Sequence, residues 1–572
     1  MFFFLDYHKN NKINNVHLYN NNNFTKNGLI KENFFVFDSN NLESINTHMY
    51  GYSISKDGIL TDNYYKKKGY YEVPEPQGVY IMIRKEGNEI KLNQDFQGNF
   101  GLYMYENQNK DYFALSNSFL LLEEYLVDKQ NISLNKDFTD NFVISPLSSP
   151  SIYETMINEI TKIPSNSFVI INTTNKTYKI NYINYNENTI PFESKEGLKI
   201  IDNWIDKWGY IIRSLLKKTN NISLDLSGGF DTRTLLTIFL NSGIDINKIL
   251  ITSSHDKKHC HEEDYEIASN IATKFGFKLN NYKPDNKGID LSIQDILYCS
   301  MYPKLGFHKE FYLKKKFFEK PKFKFHGGGE IKGYPSLPIK KYIEEISSNG
   351  RYFGEEFYIS SKRICNRSVS FLMKQKKFDN DYEISSTFYQ KGRSSIHDGR
   401  TALEGFLANI YYLQPLIDSD IKKIRFDLNS NSTHDLIAYI FVRFKYDLVN
   451  IKFQGNRTLN NESIKKAERL NKLSHPYNIK FDYNKNFFID LKRISPVSLS
   501  YTNKNIDLYF KELFNSTKFV EAVTKLYDIR IYNWAKNYSN KTNYFPLRYF
   551  YGLLSIVKTI DLLSLNRKYM KK

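Results

Sequence analysis

The sequence predicts an α+β N-terminal half built on antiparallel strands, followed by an α/β half with a parallel sheet and a helical C-terminal part. Three observations predict it. Between position 1 and about 190, short aromatic and β-branched runs such as VYIMIRK, GLYMYEN, YFALSN and SFVIINTT are separated by Asn, Gly or Lys, as strands and turns are. From about 195 onward, helical and strand patterns alternate, as they do where crossover helices join parallel strands. At 572 residues the chain is too long for a single core, and a prior of about 150 residues per domain leaves room for two large ones.

Composition narrows the class. The hydrophobic fraction of 41%, with 44 Tyr and 43 Phe, is enough for sizeable cores. The net charge of +18 does not imply nucleic acid, because the lysines are scattered among acidic residues. Short runs such as Lys66, Lys67, Lys68 and Lys314, Lys315, Lys316 read as solvated faces, and an anionic small-molecule substrate suits the charge equally well. Cys260, Cys299 and Cys365 are too few and too scattered for a disulfide framework, so a reducing cytoplasm is the expected setting. MFFFLDYHKN has too short an apolar run for a signal peptide, and no uncharged run is long enough for a membrane span. The tail at 545–565 reads as an amphipathic helix packed on the protein, and nothing in the sequence indicates an oligomeric state.

In the first half, 20–27 is an Asn-rich loop and SFLLLEEYLV at 118–127 is a helix set among strands. The second half opens with a long amphipathic helix at 195–218. The stretch NISLDLSGGFDTRTLLTIFL follows directly. Ile222, Leu224 and Leu226 alternate as one face of a strand, whereas Leu235, Leu236, Phe239 and Leu240 form a helical stripe. The turn between them suits a polyphosphate. Gly228 and Gly229 let backbone N–H groups approach an anion, and the opening helix presents its positive end. Ser227 and Thr232 offer hydroxyls, and Asp231 offers a hard oxygen for Mg²⁺ carried on phosphates.

The run KILITSS at 248–254 predicts the second strand, which puts Ser253 and Ser254 at the carboxyl edge where open parallel sheets bind ligands. A helix is expected over 261–277. His255, His259 and His261 with Cys260 read as loop or cap residues, because no second pair at zinc-finger spacing follows. Next, FKFHGGGEIKGY runs as an alternating strand into Gly327, Gly328 and Gly329, then Glu330, Gly333 and Tyr334. If the two turns meet, Asp231 and Glu330 would face one polyphosphate only with Mg²⁺ between them, and Lys332 would neutralise remaining phosphate charge. Residues 341–390 and 450–572 read as helices and polar loops without assignable chemistry.

These motifs resemble a known family. Ser227 to Thr232 is similar to the SGGxDS signature of PP-loop ATP pyrophosphatases, with Thr232 replacing the second Ser. The 323–334 stretch looks like the glycine-rich acidic motif of asparagine synthases, QPLID at Gln414–Asp418 resembles their "R.PfLD" element, and Asp264, Ala268 and Ala272 match a family helix. In the first half, Gly78 and Tyr80, then DFQGNFGLY, YFALSN and EITKIPSNSFVI, are similar to the glutaminase-like Ntn domain of asparagine synthases and β-lactam synthetases.

The resemblance implies a degenerate class II glutamine amidotransferase-like domain at 1–190, an Ntn-like β-sandwich. It implies an adenine nucleotide α hydrolase-like synthetase domain at 195–572. The family's amidotransferase nucleophile is a Cys directly after the initiator Met. Here that position is Phe2, and no Cys precedes Cys260, so glutamine hydrolysis is not expected. The family also carries a catalytic Lys in a helix after the PfLD element. The matching helix, HDLIAYIFVRFKYDLVNI, has His434 nearest that place, with Arg443 and Lys445 as candidate replacements. Arg393, His397 and Arg400 resemble positions in homologues from bacterial capsule and O-antigen clusters, which implies a sugar acid as substrate. The expectation is an ATP- and Mg²⁺-dependent ligase, forming AMP and pyrophosphate, that joins a small-molecule carboxylate to an amine. A catalytically silent scaffold, a PP-loop tRNA-modifying enzyme and a glutamine amidotransferase are the alternatives.

Overall fold

A computed structural model of the chain describes residues 17–18, 34–127, 129–144, 151–185, 187–255, 262–282, 321–328, 337–407, 409–425, 432–474, 476, 486–489, 515–526, 533, 556 and 559. The first part is antiparallel, as its strand and turn pattern predicts. One sheet is ordered Thr177–Tyr182, Ser167–Asn172, Glu89–Gln94, Gly78–Glu86, His48–Ser55, Gly58–Leu60. The other is ordered Phe35–Asp38, Phe113–Ser116, Tyr103–Glu106, Ile160–Lys162. The sheets meet through aromatic rings, Phe35 on Tyr50 and Phe113 on Tyr178, which bury much apolar area per residue. The helix expected at 118–127 forms over Phe119–Leu126, started by Ser118, whose Oγ accepts the Leu121 N–H.

The second part is built on five parallel strands ordered Leu279–Tyr282, Leu250–Ser254, Ile222–Asp225, Lys322–Phe325, Ile410–Leu413. In chain sequence this order turns back between Ile222–Asp225 and Lys322–Phe325. Open parallel sheets bind ligands at such a reversal, beyond the carboxyl ends of the strands. The face bearing Leu224, Ile251, Phe323 and Phe325 is apolar and wholly buried. It packs on helices Lys195–Leu216 and Phe230–Asn241, with Phe325 edge-on to Trp208 and Phe239. The helix Lys195–Leu216 starts where Ser194 Oγ accepts the Gly197 N–H, and it turns Leu198, Ile201, Trp204, Ile205 and Trp208 inward.

The QPLID element pins the chain's return to that helix. Asp418 is fully buried and accepts from Trp208 Nε1 at 2.8 Å and Lys207 Nζ at 3.0 Å, while Pro415 O accepts from Trp204 Nε1 at 2.9 Å. The 388–421 stretch runs from the end of helix Asp381–Tyr389 through a π-helical segment, Gln390–Ser394, into helix Ser395–Leu407, and then into the strand Ile410–Leu413. Of the tail at 545–565, residues 556 and 559 are described; both are buried, and Thr559 Oγ1 donates to Glu123. Among the described residues no helix is long and apolar enough to cross a membrane.

The antiparallel sheets dock on the parallel part at its last strand and at helix Ser395–Leu407. Tyr52 OH donates to Tyr412 O at 2.9 Å, Gln97 Nε2 donates to Gln390 O, and Gly399 lies against Asn99. Lys162 crosses the same boundary, fully buried, and donates to Ser395 Oγ. Burial pushes its pKa down from 10.5 to about 7, against the pull of Asp95 and with the push of Lys391. Between about 7 and 10.5 the folded chain therefore binds fewer protons than the unfolded chain at this site, and stability rises with pH there. Below that window the ammonium is charged in both states and its desolvation cost is fully present. Lys162→Met is expected to be more stable than the wild type at pH 6, with the difference shrinking towards pH 10. Urea unfolding of both proteins across that range checks it, and a difference independent of pH would contradict it.

Candidate functional site

The first glycine turn lies where Ile222–Asp225 passes into helix Phe230–Asn241, as the sequence predicts. Its polar groups are largely spent on holding the turn. Ser227 N–H donates to Thr232 Oγ1 at 3.1 Å, the two hydroxyl oxygens are 3.1 Å apart, and Gly229 N–H donates to Ser227 Oγ at 3.2 Å. Gly228 N–H donates to Asp264 Oδ1 at 2.7 Å, so this donor, which the sequence assigns to an anion, is taken by a carboxylate. The anion-binding capacity therefore rests on the helix start. Gly229 occupies the N-cap without a side-chain cap, and Asp231 stands in the first turn.

Arg233 was not singled out by the sequence, yet it closes the turn from behind. Its guanidinium is fully buried and donates to the carbonyls of Gly228, Ile451 and Lys452, over the Phe453 ring at 3.8 Å. Gln454 N–H adds a bond to Gly228 O, and Gly455 N–H one to Glu263. The 451–455 segment is thereby laced to the turn. Ser253 is the last residue but one of the strand Leu250–Ser254, near its carboxyl edge, and its buried hydroxyl has no hydrogen-bond partner among the described residues.

The second glycine turn leaves the neighbouring strand. Leu224 pairs with Phe325 in parallel register, so both turns exit at one edge of the sheet. They touch: a Cβ on Gly327 would lie 3.4 Å from Asp231 Cβ and 3.3 Å from Thr232 Cγ2. A Cβ on Gly328 would strike the His326 ring at 2.8 Å and Asp398 Oδ1 at 3.1 Å, which puts a third acid beside the turn. Gly329, Glu330, Lys332, Gly333 and Tyr334 lie outside the described residues, as do Phe2, His259, Cys260 and His261. No three His, Cys, Asp or Glu side chains gather at metal-ligand spacing among the described residues. A divalent ion here would need phosphate oxygens alongside Asp231.

Charged groups the sequence did not single out line the reversal point. Lys324 Nζ pairs with Asp225 Oδ2 across the two strands at 2.5 Å, and Thr252 Oγ1 donates to Asp225 Oδ1 at 2.9 Å. Burial raises the Asp225 pKa, but Lys324 outweighs it and holds the carboxyl below its ordinary range. Burial, with Lys324 beside it, pushes His326 down to about 4, so the imidazole is neutral at pH 7. The alternation KFKFH was the available signal, since one face of that run is apolar and the other basic.

Arg443 and Lys445 are placed elsewhere. In helix Ser432–Phe444, His434 meets the Phe230 ring beside the first turn, and Arg443 stands nine residues on, about 14 Å along the axis. Its side chain is 3% exposed and forms a bidentate pair with Asp202 at 2.6 Å. That pair ties two helices together, so the cation is committed to packing. Lys445 follows the end of the helix. Of the three 388–421 candidates, Arg393 donates to Tyr389 OH within its own helix. No protein-family model matches this chain, and no curated protein is similar to it in sequence.

A Cβ on Gly228 would meet Asp264 Oδ1 at 2.8 Å and Ile267 Cδ1 at 2.9 Å, so those two side chains would have to shift to admit one. Gly228→Ala is expected to cost about 1–3 kcal/mol through overpacking and loss of the Asp264 bond. Thermal unfolding of the variant measures this, and an unshifted transition would mean that the turn has room to adjust.

Proposed function

We propose that the chain is an ATP-dependent ligase that activates a carboxylate, releasing pyrophosphate, and transfers it to an amine with release of AMP. The observation that carries this reading is the contact between the two glycine turns, Gly327 against Asp231 and Thr232, at the reversal point of a parallel sheet. Resemblance to the asparagine synthase and β-lactam synthetase family supplies the reaction class.

In this reading the uncapped start of helix Phe230–Asn241 takes phosphate oxygens and Ser253 faces the nucleoside. Asp231 and Glu330 would hold Mg²⁺, which when bound offsets the negative charge of the triphosphate. The residues present fit: an uncapped helix start, an adjacent acid and a buried hydroxyl in need of a partner. Arg443, paired with Asp202, is not the group that stabilises charge in the second half-reaction. Glutamine is not the proposed nitrogen source, because residues 1–259 contain no cysteine to serve as a thiol nucleophile. A sugar acid remains the proposed substrate class, on resemblance alone.

A nucleotide-silent scaffold is the second reading, favoured by the Asp264 carboxylate already seated on Gly228 N–H. Calorimetry with MgATP separates the two: binding is expected, and its absence would favour the scaffold. Incubation with MgATP, sugar acids and amines should yield AMP and pyrophosphate. Asp231→Ala should lower turnover by a factor of about 100 or more with the fold intact. Unchanged turnover would remove Asp231 from the metal site. Glutamate released from glutamine would overturn the claim about nitrogen.

A further inference from the structure

Strands of a parallel sheet covered on both sides are ordinarily apolar on both faces. Here they alternate. Opposite the face that meets Trp208 and Phe239, the strands present Ser223, Asp225, Thr252, Lys322, Lys324 and Tyr412. Asp225 stands on the middle one of five strands, yet 40% of its side chain is exposed, as is 23% of Lys324. Both side chains of this pair thus keep part of their surface exposed, beside the turn that carries Gly327.

This part of the sheet is chemically equipped. Ser223 Oγ, on the same face, is buried without a hydrogen-bond partner among the described residues. Among the described residues Lys324 has one acceptor, Asp225, and the Tyr412 ring at 5.8 Å, out of a capacity of three N–H donors. Lys322 strengthens the positive potential along the strand, while His326 adds no charge at neutral pH. An ammonium held in place by one carboxylate, with donors left over and water displaced, is suited to a second carboxylate.

We propose that this part of the sheet is the acid subsite, in which Lys324, shared with Asp225, binds the carboxylate that is to be activated. The placement is right for that task, since the carboxylate would lie at the reversal point next to the phosphates. The inference rests on the ligase reading above.

The test uses the full chain with MgATP, a fixed panel of hydroxy, amino and uronic acids, and hydroxylamine as the amine. Pyrophosphate release is followed. Lys324→Met should reduce release by about tenfold or more and raise the KM for the acid, while MgATP affinity from calorimetry stays within about twofold. Asp225→Asn should free Lys324 and lower the KM for the acid, with the KM for MgATP unmoved. Release by Lys324→Met within about threefold of wild type, or loss of its MgATP binding, would overturn the subsite. If Lys324→Met does not fold, Asp225→Asn decides alone: an unchanged or raised acid KM overturns it. A wild type that releases no pyrophosphate with any acid overturns the ligase reading and the subsite together, an outcome distinct from an active wild type indifferent to Lys324.

Discussion

The parallel pairing of Ile222–Asp225 with Lys322–Phe325 is the constraint on which the candidate site depends, because it joins segments a hundred residues apart and aims both glycine turns at one edge. Its register is enforced by burial. Leu224 and Phe325 share a face packed on Trp208 and Phe239, so a slip of one residue would drive Asp225 and Lys324 into that apolar layer. Burying a charge without its partner costs several kcal/mol, on the order of the stability of a whole domain. The apolar core thus fixes the position of the ion pair, and with it the geometry of the crevice.

Around that pairing, the turn is held by groups drawn from distant parts of the chain. Asp264 holds Gly228 N–H from the helix Glu262–Phe275, and Arg233 holds Gly228 O together with the carbonyls at 451 and 452. A turn fixed on both its donor and its acceptor does not reorganise when a ligand arrives. Such prior ordering is what lets fixed dipoles act on developing charge without a reorganisation cost.

Local pattern made much of this legible. The alternation of Ile222, Leu224 and Leu226, the stripe of Leu235, Leu236 and Phe239, and the SGG turn between them describe strand, turn and helix because each depends on neighbours in sequence. What depended on partners far along the chain was not legible. That Gly228 N–H would be claimed by Asp264, or Arg443 by Asp202, follows from how helices pack, and neither residue type advertises its partner. Arg443 lay at a plausible offset in the right helix, but offset along a helix does not say which neighbour the side chain meets. The Asp225 and Lys324 pair was present in ISLD and KFKF as an alternation, yet its meaning required knowing that the two strands are neighbours. The second glycine turn was legible as far as Gly328, whose surroundings match a sharp strand exit; its acid, Glu330, lies beyond the described residues.

The larger antiparallel sheet is finished by a strand from the far end of the chain. Phe488–Ile489 pairs in parallel with Gly58–Leu60, and glycine is required at position 58 because a Cβ would collide with Phe488 O at 2.1 Å. On the ribosome, the N-terminal sheet must wait for about 430 further residues before that edge is covered. At ordinary elongation rates the delay is on the order of tens of seconds, during which an unpaired strand edge is open to other nascent chains. Synthesis of this protein therefore has a built-in interval of vulnerability, and a chaperone that masks strand edges would act on the early-emerging sheet rather than on the parallel-sheet half.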